Sequence, residues 1–491
     1  MTRFSRFVGF LLMTGLTAAA ACADGQPAQG PGSRLQSLGE VAAVELKPRP
    51  LQIKGWKTHS GTKVLFVRTT DLPMFDIHVS FAAGSARDGL LPGLAATTMS
   101  LLSEGIPGKD LPAITETLDG LGAQLEFDID HDRACFSLRS LSDPAKRLPA
   151  LDLLTRILSE PLLSEDRLPP VKDELRAALV DQQGDAGDLA LQQVKALLAP
   201  DNPYSLPVYG TEQGLSAVTR SAVQDFHRRY YAARHAQITL VGDLSLEQAQ
   251  AMSLQISNAL PTPRDGYMAS ATATPGDVQT RHLEFAQQQT HIVFAQPSVP
   301  RRHADHAALY AASQILGGGS NSRLMKELRH KRGLVYDAYS ANDNWAGGAG
   351  LLTIALQVGS PLRDATLALV RSMLDDFLRD GPTAMELDHL KRRLAHRNVL
   401  NSASNRQILA RLVEINRYDL PLDLDYAMQQ IQRLTVEDIK HALSRHLSAD
   451  RWLSVAVGAS VEQQPLPEPV TPPTGQTEQS TCRADPSFVA S

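Results

Sequence analysis

The feature that most limits how this chain can fold is a pattern that occurs twice. Val218-Thr219 opens a helix-like stretch that closes in the strand-like run Gln237 to Gly242, QITLVG. Leu434-Thr435 opens a second, Val436 to Leu447, that closes in Leu453 to Gly458, LSVAVG. Thr219 to Gly242 and Thr435 to Gly458 are both 23 residues apart. Equal spacing between matching residue types points to a duplicated domain of about 200 residues rather than to unrelated modules. Ahead of each pattern the order is strand, strand, helix. Lys63 to Arg68 and Phe75 to Ala82 precede a helical stripe of Leu91, Leu94, Ala95, Thr98, Met99 and Leu102; His282 to Ala286 and His291 to Gln296 precede another. In the first half hairpin-like strands follow at Gln124 to Asp130 and Arg133 to Arg139, around Asp130-His131-Asp132. The expected class is α+β: two homologous domains, each a mixed sheet backed by helices.

A chain of 491 residues has room for roughly two or three domains. The halves are assigned to 45–260 and 281–460, joined by the polar, turn-rich linker 261–280. Residues 24–44, rich in Gly, Ala, Gln and Ser, and 461–491, rich in Pro, Thr, Gln and Glu, offer too little apolar surface to offset ordering entropy and are read as disordered. At the start, Arg3 and Arg6 precede an apolar run from Phe7 to Leu16 and then small residues, the layout of a signal peptide over 1–23. The chain is expected to be exported, in a bacterium to the periplasm. The apolar run is too short to span a bilayer. Two processing routes stay open: cleavage after Ala-Cys-Ala, or lipid attachment at Cys22, which would tether the protein to a membrane.

Charge excludes one class of partner. The balance of 48 Lys+Arg against 53 Asp+Glu, a formal −5, contains no basic block that would track a phosphate backbone, so nucleic acid is not expected. After processing at Ala23 only Cys135 and Cys482 remain, which is no disulfide framework; Cys135 reads as a small buried hydrophobe. His303 and His306 form an exposed-looking His-x-x-His, and His441 and His446 lie on a repeat-end helix with no acidic base placed beside them; all four read as solvated side chains. His227 reads as a surface or packing residue. Gly317-Gly318-Gly319 lacks the Gly-Lys-Ser/Thr of a phosphate loop and reads as a flexible or helix-ending turn.

Two regions carry a family resemblance: Pro92-Gly93-Leu94-Ala95, which opens the first helix, and Leu316 to Tyr336, LGGGSNSRLMKELRHKRGLVY. With Pro203-Tyr204, Val208-Tyr209-Gly210-Thr211, Phe226-His227-Arg228-Arg229-Tyr230-Tyr231 and Val241-Gly242-Asp243 in the same order, most of 45–460 resembles the insulinase-like (pitrilysin, inverzincin) zinc metallopeptidases. In active members the helix after Gly-Leu carries His-x-x-Glu-His, two imidazoles on one helical face for zinc and a glutamate that activates water. The matching positions here are Ala96, Met99 and Ser100, and Ala177 or Ala178 stands where the family's third ligand, a glutamate, is expected, with Glu174 a turn early. Alanine and methionine supply no suitable nitrogen or carboxylate, and a neutral serine is a poor zinc ligand.

The second signature is intact, because Arg329 and Tyr336 stand seven residues apart, as the family's pair does. A guanidinium and a phenol aimed at a peptide carbonyl can bind it and stabilise the oxyanion formed on attack. Read without the resemblance, Arg329 is a solvated helix-end charge near Glu327 and Tyr336 a core aromatic. The resemblance implies half of a clamshell that binds no cofactor itself, pairs with a homologous zinc-bearing peptidase subunit, and binds peptide through Gly317, Gly318, Gly319, Arg329 and Tyr336. The pair would act in trans in the partner's site. The alternative is a structural or peptide-holding scaffold with no role in catalysis; a third reading is a self-sufficient peptidase with unconventional ligands.

Overall fold

The computed structural model describes residues 51–200, 202–262, 280–345 and 349–470. The signal segment with Cys22, the 24–44 stretch, most of the linker and 471–491 with Cys482 lie outside these residues. Two sheets dominate. The first has six strands in the order Ile53–Lys57, Lys63–Arg68, Ala236–Gly242, Met74–Phe81, Ala134–Leu141, Gln124–Ile129. All its neighbours are antiparallel except Lys63–Arg68 with Ala236–Gly242. The second has five, in the order Val335–Trp345, Ala349–Gly359, Gln289–Ser298, Leu453–Gly458, Thr280–Glu284, and its one parallel pair is Leu453–Gly458 with Thr280–Glu284. Without the Ile53–Lys57 edge strand, the first sheet has the connectivity of the second, with the parallel pair in the same place.

The residues of the repeated pattern have matching physical jobs. Thr219 and Thr435 are N-caps, accepting from Ala222 N and Asp438 N, each at 3.2 Å. Gly242 and Gly458 end strands where a neighbouring strand comes too close for a side chain. A Cβ at Gly242 would lie 2.5 Å from Phe75 Cα, and one at Gly458 would lie 2.2 Å from Thr290 Oγ1.

Each sheet is buried on both faces, which is why VLFV, ITLV and HIVFA are nearly continuous apolar runs. One face meets helices of the same half. Val64, Phe66, Ile77 and Val79 pack in one core with helices Leu94–Leu102, Pro144–Ser159 and Arg220–Tyr230. Ile292, Phe294, Ile354 and Ala456 pack in another with His306–Gly317, Arg363–Asp380 and Val436–His446.

The opposite faces are covered by an exchange between the halves. Ala190, Val194 and Leu198 of the first-half helix Ala186–Leu198 pack on Val293, Val455 and Val457 of the second sheet. Ile408, Leu412 and Ile415 of the second-half helix Asn405–Tyr418 pack on Leu65, Val67 and Val241 of the first. Every fully buried Val or Leu in these seams contributes about 1.5–3 kcal/mol. Asn416 adds direction, donating through Nδ2 to Ile238 O at 3.0 Å and Thr239 Oγ1 at 3.1 Å.

The ordered chain runs further than composition suggests. Residues 461–470, assigned above to the disordered tail, lie along the second half: Gln464 N donates to Pro361 O at 2.7 Å and Val470 N to Lys331 O at 2.7 Å. Arg332 donates to Pro467 O at 3.0 Å, and Leu466 packs on the second core. Backbone hydrogen bonds and one apolar anchor hold a segment whose residue content alone suggested none.

Candidate functional site

Arg329 lies in the π-helical turn Met325–Lys331, and Tyr336 follows on the strand Val335–Trp345. Their spacing across that turn brings them together, with the Arg329 guanidinium over the Tyr336 ring at 4.7 Å from its centroid. Tyr336 is 83% exposed, so it fills no core. Arg329 is exposed and is not the partner of Glu327, which is taken by Lys331 at 2.7 Å and Arg332 at 3.1 Å. Among the described residues, no ion pair or hydrogen bond occupies the Arg329 guanidinium or the Tyr336 hydroxyl.

Of the three glycines, Gly317 meets the same strand. Gly317 ends the helix His306–Gly317, and a Cβ there would lie 2.4 Å from Ser340 N, four residues beyond Tyr336. The Gly318 carbonyl accepts from Arg393, and Gly319 has φ +134, a backbone that favours glycine. Close packing and turn geometry thus account for the glycine at all three positions.

Tyr336 also borders a cavity of about 590 Å³. Its walls include Asp185 and Asp188 from the start of the exchanged helix, His291 and Thr353 from the second sheet, and Asp337. The turn Asp130-His131-Asp132 closes it from the first half, bound by Arg417 from the second, with Nη1 to Asp130 Oδ2 at 2.8 Å and Nη2 to Asp132 Oδ2 at 3.0 Å. Tyr204 donates to Asp132 and stacks on His131. The sequence pointed to the acidic turn but gave no signal for Arg417, whose partners are more than 280 residues away (|i−j| of 287 and 285).

Ala96, Met99 and Ser100 sit on the helix Leu94–Leu102 in the first half. Ala96 is fully buried, and Met99 is half-buried against the apolar core. Asp88 caps this helix, accepting from Gly93 N at 2.6 Å and Ala95 N at 2.7 Å; burial pushes its carboxyl up to about 7 against those two donors. The helix Leu168–Gln183, with Ala177 and Ala178, packs beside it. These residues do not fit a zinc ion.

Among the described residues, the one grouping of three His, Cys, Asp or Glu close enough to share an ion is His303, Asp305 and His446. Its carboxylate is already used by His446 at 2.7 Å and Arg445 at 2.8 Å. His303 and His441 are exposed, as expected, but the reading of His446 as solvated and without an acidic neighbour is corrected: it is half-buried on Asp305. His306 is buried at 6% exposure beside Arg301, and burial drives its imidazole down to about 4. His227, also buried, bonds through Nε2 to Leu158 O at 2.8 Å.

Comparison with known proteins agrees with this geometry. Residues 217–394 match the family described as "Peptidase M16 inactive domain". The crystal structure of a peptidase M16 inactive domain from Pseudomonas fluorescens superposes with a TM-score of 0.80 and 38% identity, covering 85% of this chain and all of that one. The chain belongs to the peptidase M16 family. M16 relatives include the "Non-peptidase homolog YmxG" of Helicobacter pylori, 25% identical over 78% of this chain and 88% of its own length. They also include an "Uncharacterized zinc protease" of Mycobacterium bovis, 25% identical over 87% and 96%. This is a non-catalytic M16 member, and Ala96, Met99 and Ser100, the positions that the resemblance aligns with the family's zinc motif, offer no nitrogen, thiolate or carboxylate donor.

Proposed function

We propose that this chain is the substrate-binding subunit of a two-chain M16 peptidase, and that it lends Arg329 and Tyr336 to the site of a homologous zinc-bearing partner. The observation that carries the reading is the pair itself: a guanidinium stacked on an 83%-exposed tyrosine at the mouth of a cavity, with no ion pair or hydrogen bond to the guanidinium or the phenol hydroxyl among the described residues. A phenol that stabilises no core and a cation that balances no carboxylate are suited to a partner outside the chain. In the assembled site the partner's metal would activate water. Arg329 and Tyr336 would donate to the peptide carbonyl and to the negative oxygen that develops on it, a contribution that grows toward the transition state. The same reading assigns Gly317 to Gly319 to peptide binding, beside the roles that packing and turn geometry already give them within the chain.

We also infer that the two halves arose by duplication, which the matched sheet connectivity and the paired Thr and Gly positions support. Export to a periplasm, with or without a lipid at Cys22, belongs to the same reading. The test is peptide hydrolysis by this chain, by a zinc-bearing M16 candidate and by the two mixed. Turnover only in the mixture is the expected result; a mixture no faster than the zinc-bearing chain alone overturns the reading. That outcome would favour a scaffold or peptide holder, a role suited to a relative of a non-peptidase homolog.

A further inference from the structure

A second cavity, of about 850 Å³, lies in the second half beyond the Arg417 bridge, between the Asn405–Tyr418 helix and the helices His306–Gly317 and Ala384–Leu400. Asp130 and Arg417 belong to the walls of both cavities, so the two adjoin. Three polar groups in this second wall have no protein partner among the described residues. Asn342 is 8% exposed, and neither its amide nitrogen nor its amide oxygen makes a hydrogen bond. The Tyr310 hydroxyl, at a ring stacked on His306, makes none. The Arg397 guanidinium forms no ion pair, although it lies close enough to act electrostatically on Tyr310.

Buried side-chain amides are nearly always hydrogen-bonded, so Asn342 needs an explanation. The charges in the wall supply one. Each lining carboxylate is already engaged: Asp130 by Arg417, Glu414 by Arg301, Asp419 by Lys63 and Arg302, and Asp423 by Gln429. The lining arginines other than Arg397 are paired, Arg411 with Asp425 among them. The wall of this cavity therefore carries one uncompensated cation near a phenol that can donate or accept, together with an amide that does both.

We propose that this cavity binds a carboxylate adjoining an amide, and that its ligand is the C-terminal end of a peptide: Arg397 pairs with the carboxylate while Asn342 and Tyr310 bond the last peptide unit. Planar bidentate pairing is what a guanidinium offers a carboxylate and an ammonium does not. A peptide running past Tyr336 and over the Arg417 bridge would end here. The proposal rests on the reading that the chain holds peptide, yet it does not need hydrolysis.

The experiment is fluorescence anisotropy on the full exported chain alone, where no turnover takes place. The probe is a labelled unstructured decapeptide with a free C-terminus, compared with its C-terminal amide and with N-acetylalanine as competitor. Amidation is expected to weaken binding to the native chain at least tenfold. Arg397→Ala should weaken the free-acid peptide by a similar factor and erase the discrimination, whereas Arg397→Lys should restore only part of it. Tyr310→Phe should weaken both peptides about equally, and a circular-dichroism melt of each variant reports that the fold persists.

Equal binding of acid and amide, no peptide binding at all, or discrimination that survives Arg397→Ala overturns the proposal. Displacement by N-acetylalanine at concentrations comparable to the peptide overturns the peptide assignment and gives the cavity to a free small molecule. Because the readout is binding by one chain, discrimination can persist when the mixture shows no turnover gain, which separates this failure from that of the trans-acting reading.

Discussion

The helix Leu94–Leu102 and the segment that joins Arg329 to Tyr336 have opposite fates. On the helix the positions that the family resemblance aligns with the zinc motif hold Ala96, Met99 and Ser100, and two of them serve packing: Ala96 is fully buried and Met99 leans on the core. On the segment, two costly side chains remain at the surface, stacked on each other. When a site loses its function its polar groups become a burden that packing readily replaces, since buried unpaired polar atoms are destabilising. Exposed groups are under no such pressure, and it is their geometry, one cation over one ring at a cavity mouth, that separates them from ordinary surface residues.

The largest effect expected from this contrast is catalytic. In the mixture with a zinc-bearing M16 chain, Arg329→Ala or Tyr336→Phe should cut turnover by about 10²-fold or more, the scale of losing an oxyanion donor. Thermal stability of this chain should change by no more than about 0.5 kcal/mol, as for exposed positions generally. Unchanged turnover with both variants would erase the distinction between the two regions.

The next effect is on the helix. Ala96→His with Met99→Glu and Ser100→His restores the motif in sequence, yet we expect no hydrolysis by the chain alone, because Ala177 and Ala178 still supply no third ligand. Forcing an imidazole into the fully buried Ala96 site should lower stability by about 1–3 kcal/mol in a denaturant melt. Hydrolysis with near-stoichiometric zinc would show that the helix had kept its chemical geometry.

A smaller loss is expected for Arg417→Ala. Asp130 and Asp132 are each 41% exposed at the side chain, so water screens part of both pairs, and a loss of about 1–2 kcal/mol is expected from chemical denaturation. A larger drop, with two separate transitions, would mean that the bridge and not the exchanged helices holds the halves together.

A separate effect, set by solution conditions and not by one contact, is a pH dependence that reaches the capped helix. Burial drives His78, His235 and His306 from 6.5 down to about 4. The unfolded chain then binds more protons between those values, and stability falls as pH drops from about 6.5 toward 4. Asp88 acts the other way. Its folded value near 7 lies above the usual 3.8, so its contribution is fully present below 3.8 and is lost as pH rises through 7. The melting temperature should fall from pH 7 to pH 5, and more steeply in Asp88→Asn, where the opposing group is gone. A shallower fall in that variant would show that the two N–H donors from Gly93 and Ala95, rather than burial, set the Asp88 carboxyl.

Much of the local structure was legible in the sequence. The strands Lys63–Arg68 and Leu453–Gly458 fall where they were expected, and Phe75 to Ala82 is displaced by one residue to Met74–Phe81. Thr219 and Thr435 cap helices and Gly242 and Gly458 end strands, because capping and close approach are demands a residue meets at its own position. The Arg329 and Tyr336 spacing was legible for a similar reason: seven residues fix how far apart two side chains can be across one turn.

What the sequence by itself determined, then, was the α+β pattern given twice, the absence of a zinc motif at Ala96, Met99 and Ser100, and the presence of the Arg/Tyr pair. The tertiary structure alone decided which helix covers which sheet, that Tyr336 faces outward, that His306 is buried, that Arg417 ties the halves and that the chain to residue 470 is held. An apolar run states that both its faces must be buried, but it does not say by what. Leu412 is equally satisfied by its own half or the other, and the choice is made only when two complete sheets, each with one open face, pack together.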